Sequence, residues 1–171
     1  SPYLSMEFVN GQALQALAAT SPALRARVEL LEALCRAVHF AHTRGVIHRD
    51  LKPSNILVDG ADQPHIIDFG IASALDRSDL TRMTMVGSVL GTLPYMSPEQ
   101  LDGSSRVDPR WDVYALGVML YRMLSGKPPF RGTLTEVLNG HLNMPIPHIT
   151  VKMDGVLPET IEGLLKRALA K

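Results

Sequence analysis

The stretch HRDLKPSN, residues 48–55, sets two positive charges, one carboxylate, a proline and an amide into eight positions. A solvated loop has no physical need of that order. An Asp in a rigid loop can accept a proton or orient a hydroxyl, which suits Asp50. Lys52, on the same side of an extended stretch, can neutralise a developing negative charge. Pro53 stiffens the turn, and Asn55 offers a neutral oxygen to a hard cation. Asp68, in the DFG at 68–70, adds a second oxygen at the end of a strand pattern. Two oxygen donors on neighbouring loops suit Mg²⁺, which binds through few protein oxygens plus substrate phosphates. A base, a cation and a magnesium site together describe phosphoryl transfer, where the protein positions reactants and stabilises charge.

Working outward, Ser21-Pro22 reads as an N-cap followed by proline at the first helical position. Leu24, Val28, Leu31, Cys35, Val38 and His42 then recur at spacings of four and three, one face of a long helix ending at Gly45. On that face Cys35 is expected to be a small core residue, and His39 and His42 to be surface or packing residues. Residues 3–9, YLSMEFV, suit a short buried strand closed by Asn10-Gly11, and 12–19 a short helix. ILV (56–58) and HII (65–67) read as two strands around the DGADQP turn. Residues 68–99 carry no strong periodicity, the mark of a functional or disordered segment. Helical patterns return at 112–124, 133–142 and 157–171, with NMPIPHI (143–149) as a proline-broken loop. His141 and His148 are expected to be solvated. The sum is a mainly α domain, a helical bundle with a few short strands.

The chain has 171 residues, enough for one domain with a substantial core. Lys plus Arg and Asp plus Glu number 17 each, so the net charge is zero, which argues against broad binding to nucleic acid or an acidic membrane surface. Cys35 is the one cysteine, so no internal disulfide forms, and a reducing compartment is the simplest reading. VYALGVMLYRML (113–124) is short and carries Arg122, so it reads as a core helix and not a membrane span. SPYLSMEFVN lacks the basic and apolar regions of a secretory signal. The chain opens on a strand pattern and stops within a helical one, so it is expected to be an excerpt of a longer protein.

HRDLKPSN, DFG (68–70), GTLPYMSPEQ (91–100) and DVYALGVMLYRMLSGKPPF (112–130), in this order and at these separations, resemble the large C-terminal lobe of a eukaryotic-type protein kinase. DFGIA together with GTLPYMSPEQ is most similar to bacterial serine/threonine kinases. The resemblance covers nearly the whole chain, 1–171, from the hinge to near the end of the catalytic domain. It implies a kinase C-lobe whose short strands carry the catalytic and activation loops, with the small N-lobe as a missing partner.

The roles implied follow residue by residue. Asp50 matches the base facing the substrate hydroxyl, Lys52 the lysine at the transferring phosphate, and Asn55 and Asp68 the two magnesium ligands. His48 and Phe69 match packing residues of the spine between the lobes, and Asp112 a buried Asp that holds the catalytic-loop backbone. Leu57 matches the floor of the adenine site, Met6 the gatekeeper, and Glu7, Phe8 and Val9 the hinge. Thr92 matches the threonine near the base that favours hydroxyl amino-acid substrates. Arg49 matches the receptor of a phosphorylated activation loop, with Thr81, Thr84 and Ser88 as acceptor candidates and Thr84 preferred. Val86 stands where related loops carry a second threonine. The cofactors implied are ATP and Mg²⁺, with Mn²⁺ as a substitute. The partners implied are proteins with Ser or Thr acceptors, the N-lobe, and a second copy for trans-phosphorylation. The implied location is the cytoplasm, with any membrane anchor in other segments of the parent.

Three departures stand out. No Gly-rich loop, strand lysine or partner-helix glutamate is present, so these residues alone are expected to bind ATP weakly and turn over poorly. Ser97 replaces the usual Ala of APE, and Glu99 is expected to be a buried carboxylate lacking its usual Arg. His65 stands where Lys is common. The competing readings are a kinase-like docking or scaffold module, which the full set of Asp50, Lys52, Asn55 and Asp68 speaks against, and a small-molecule phosphotransferase of related fold.

Overall fold

The computed structural model describes residues 7–17, 24–69, 89–103, 106–149 and 159–171. The chain enters through β1 (Gly11–Ala13) and a single turn, α1 (Leu14–Leu17), and continues in the long helix α2 (Leu24–His42). A 3₁₀ turn at Pro53–Asn55 leads into β2 (Ile56–Asp59), which pairs with β3 (Pro64–Ile66). Next come α3 (Val89–Thr92), a 3₁₀ turn at Leu93–Tyr95, and α4 (Pro98–Asp102). The remainder is α5 (Arg110–Ser125), α6 (Leu134–Asn143) and α7 (Glu159–Ala168).

The three strands form one antiparallel sheet with β2 central, Gln12 opposite Val58 and Leu57 opposite His65. Period-two alternation turns Ile56 and Val58 into the core and leaves Leu57 half-buried on the other face. A Cβ on Gly11 would lie 2.6 Å from Val58 O, so only glycine lets β1 come this close. The turn between β2 and β3 is held by Asp59, whose Oδ1 accepts from the amides of Ala61 and Gln63 (2.8 and 3.0 Å). His65 meets Asp59 Oδ2 at 2.8 Å.

Helix α5 is the axis of the molecule. It buries Tyr114 to Tyr121 without a break, together with Asp112 and Leu124. A helix apolar all round must be enclosed by other elements. Leu31, Leu34 and Val38 of α2 cover one side, and Leu165 and Leu169 cover another. At Gly117 a side chain would sit 2.9 Å from Ala168 and Leu169, so the glycine sets the α5–α7 approach.

The sequence periodicity places α2 and α5 correctly, and Gly45 ends the α2 turn in the left-handed conformation (φ 74°) as expected. Four expectations are corrected. Residues 7–9 form no strand: the strand falls at 11–13, where β2 supplies partners, and Phe8 is 87% exposed. Cys35 is exposed, because the buried stripe runs through 31, 34 and 38 and turns Cys35 about 100° away from Leu34. His141 is fully buried, against the expectation of a solvated ring. Its Nδ1 lies 2.8 Å from the Tyr114 hydroxyl, and Phe130 packs edge-on at 5.0 Å. Glu99 is half-buried rather than enclosed. His148, 81% exposed at its side chain, is solvated as expected. Among the described residues, no helix is long and apolar enough to cross a membrane.

Candidate active site

The catalytic-loop candidate is built on Asp112, in the first turn of α5 and buried. Its Oδ2 accepts the amide of His48 (2.8 Å) and its Oδ1 that of Arg49 (2.9 Å). His42 Nε2, from the last turn of α2, reaches Oδ2 at 2.7 Å. A buried carboxylate needs such a set of partners. It in turn fixes Arg49 in an unusual backbone conformation, φ 70°.

His48 ties this loop to the sheet. Its Nε2 lies 2.9 Å from Ile67 O, and its Nδ1 accepts the amide of Asp50 (3.3 Å). Both contacts are met by the Nε2–H tautomer. Its ring stacks at a tilt against Phe69, with centroids 4.9 Å apart. The amide of Ile67 donates to Asn55 O (3.0 Å), so the chain leading to Asp68 is pinned to the same loop.

Four predicted residues converge here. Lys52 Nζ donates to Asp50 Oδ2 (2.8 Å) and to Thr92 Oγ1 (2.6 Å). Asn55 Nδ2 donates to the carbonyl of Asp50 (2.9 Å) and to its Oδ2 (3.2 Å). Asp50 Oδ1 is shielded from solvent and carries no hydrogen bond among the described residues. Among the described residues Asn55 Oδ1 meets only Ser54 Oγ, at 3.5 Å. Asp68 stands apart: it is exposed, in the left-handed region (φ 59°), and its carboxylate has no ion pair among the described residues.

Residues that the sequence pattern did not single out support this cluster. Gln100 Nε2 donates to Arg49 O (2.8 Å). Gln100 is also half of a capping box, with Ser97 Oγ accepting the Gln100 amide and Gln100 Oε1 accepting the Ser97 amide. The spacing Ser97-Pro98-Glu99-Gln100 is a legible N-terminal signal of a helix. Trp111 helps line a small cavity with Arg49, Asp50, Thr92, Tyr95 and Gln100, and its Nε1 has no partner among the described residues. His42 was expected only as a surface or packing residue, yet it is bonded to Asp112.

Of the other predicted residues, Leu57 lies on the open face of β2, Glu7 and Phe8 are exposed, and Val9 is half-buried. Met6, Thr81, Thr84, Ser88 and Gly70 of the DFG lie outside the described residues. Among the described residues there is no group of three His, Cys, Asp or Glu side chains able to hold a metal. A magnesium site of one amide and one carboxylate oxygen plus phosphates does not need one.

Comparison with known proteins agrees with this arrangement. The family model described as the protein kinase domain matches residues 1–171. The chain belongs to the protein kinase domain family, and it is similar to bacterial members named as serine/threonine kinases. It is 38% identical over 174 residues to the serine/threonine-protein kinase PknB of Mycobacterium leprae, covering 99% of this chain and 27% of that protein. It is 38% identical over 173 residues to the probable serine/threonine-protein kinase PknB of Bifidobacterium longum, covering 99% and 25%. It is 37% identical over 171 residues to the serine/threonine-protein kinase PknE of Mycobacterium tuberculosis, covering 99% and 29%. The chain thus spans about a quarter of the length of these relatives. A mainly helical unit with a small three-stranded sheet is what the large lobe of a kinase requires.

Proposed function

We propose that the protein containing this chain is a serine/threonine protein kinase that moves the γ-phosphate of MgATP to Ser and Thr hydroxyls of proteins. The observation that carries this is the joined set Asp50–Lys52–Thr92 with Asn55, a carboxylate and a cation held side by side on a backbone fixed by Asp112. Asp50 orients the incoming hydroxyl and takes its hydrogen, with Oδ1 the atom not already engaged. Lys52 stabilises charge on the phosphoryl group as it moves. Its bond to Thr92 ties the segment 91–100, which would face the protein substrate, to the base.

Asn55 Oδ1 and the Asp68 carboxylate would hold Mg²⁺, which supplies charge neutralisation on the phosphates. The donor set fits a hard cation: both atoms are oxygens, one anionic and one neutral, and neither is taken up by a strong partner among the described residues. Leu57 forms the floor for adenine, and the backbone of Glu7 to Val9 forms its hinge. The described unit acts as the large lobe, completed by a small lobe elsewhere in the parent. Arg49 receives a phosphate placed by self-phosphorylation, with Thr84 the preferred acceptor.

The test is to incubate the parent protein with labelled ATP, Mg²⁺ and a mixture of generic protein substrates, and to map the label by mass spectrometry. Phosphate on Ser or Thr is expected. Retained ATP binding with no phosphate on any protein contradicts the proposal and leaves a docking role.

A further inference from the structure

The apolar run of α5 is broken by one charge. From Val113 to Leu124 the sole charged residue is Arg122. It is half-buried, and its Nη1 donates to the Tyr95 hydroxyl at 2.5 Å. Tyr95 is buried and lines the same cavity as Asp50. It ends the 3₁₀ turn that begins next to Thr92, the partner of Lys52. Arg122 is therefore one side chain removed from the catalytic cluster.

A guanidinium carries five N–H donors. Among the described residues no carboxylate stands within ion-pair distance of Arg122. Between Asp112 and Glu136 the chain carries Arg122, Lys127 and Arg131 and no carboxylate at all. Glu136 itself is engaged by the amide and hydroxyl of Thr133 (2.7 and 2.8 Å). Lys127 and Arg131 are exposed. A partly desolvated cation with spare donors gains most from an anion that arrives with the ligand, and a carboxylate matches its fork in two bonds.

We propose that Arg122 is a specificity-determining residue that recognises an acidic side chain on the protein substrate, a few residues from the acceptor hydroxyl. The inference rests on the kinase function proposed above. An extended peptide advances roughly 3.3–3.6 Å per residue. On this proposal a substrate whose hydroxyl faces Asp50 runs past the segment that carries Tyr95 and meets Arg122 a few positions from the acceptor. The substrate class is Ser/Thr segments with neighbouring Asp or Glu.

The experiment uses the parent protein, MgATP and Ser peptides with Asp, Ala or Lys fixed in turn at each position near the acceptor. At one or more positions Asp is expected to raise kcat/KM about tenfold over Ala, mainly through KM, and Lys to lower it. The gain shrinks as salt rises. Arg122→Glu is expected to reverse the order, with Lys above Asp. Where that variant does not fold, Arg122→Gln, which keeps an N–H for Tyr95, is expected to erase the Asp preference. Equal rates for Asp, Ala and Lys in the unaltered protein overturn the proposal. So does an Asp preference that survives either substitution, which leaves Arg122 as a brace for Tyr95. Absence of phosphate on every peptide and on generic protein substrates overturns the kinase function itself, and the inference with it.

Discussion

Asp112 is the residue that fixes the backbone of the candidate site. Two backbone amides and one imidazole converge on its carboxylate, and they come from α2 and from the loop that carries Asp50. An amide in its place would turn one acceptor into a donor facing an N–H or a ring nitrogen. Asp112→Asn is therefore expected to destabilise the protein by about 2–3 kcal/mol, since bonds to a charged group are lost and a buried donor is orphaned. Phosphate transfer should fall with it, because the backbone of His48 and Arg49 is no longer fixed. Chemical denaturation beside a transfer assay checks both. A midpoint unchanged from the unaltered protein would mean that Asp112 does not brace the loop.

Among the elements, α4 gives the sharpest case of a short helix with a double task. Its five residues are capped by Ser97 and Gln100, and Gln100 also holds Arg49 O. Ser97→Ala is expected to cost about 1 kcal/mol through the lost cap. It should also lower activity by freeing Gln100, and thermal melting with an activity assay reads both effects; unchanged values would mean the cap is dispensable. The long elements were legible in the sequence because periodicity averages over many residues: α2 and α5 fall where their patterns put them. The short ones were not. YLSMEFV has strand composition, yet the strand forms at Gly11–Ala13, because pairing with β2 and the space left by a glycine decide it. Cys35 shows the limit of a spacing argument. It fits an i, i+4 series with Leu31, but the buried stripe is narrower than the series and excludes it.

For the whole molecule, His141 links packing to pH. Burial, with Lys171 nearby, holds its pKa down at about 4, from an ordinary value of 6.5. The unfolded chain binds the proton first, so stability is flat above about pH 6.5 and falls as pH drops from there toward 4. The loss across that window is on the order of 3 kcal/mol. His141→Gln is expected to flatten the melting temperature between pH 7 and pH 5, and a profile as steep as that of the unaltered protein would assign the acid sensitivity elsewhere. Sequence could not give this burial, since α6 reads as an ordinary surface helix until Phe130, Tyr114 and Lys171 close over it. The candidate site was more legible than the fold around it, because Asp50, Lys52 and Asn55 carry chemistry in their order along the chain; Thr92 came only from the resemblance of GTLPYMSPEQ to the kinase family. The supporting bonds of Gln100 and His42 were not, because each reaches a partner far along the chain. The most direct test of the whole is the single-turnover rate of phosphate transfer in the parent protein at saturating MgATP, compared with Asp50→Asn. A fall of about 10²–10⁴ with ATP affinity unchanged is expected for loss of the base. A rate within a few-fold of the unaltered protein would contradict the assignment of Asp50 and of the site built around it.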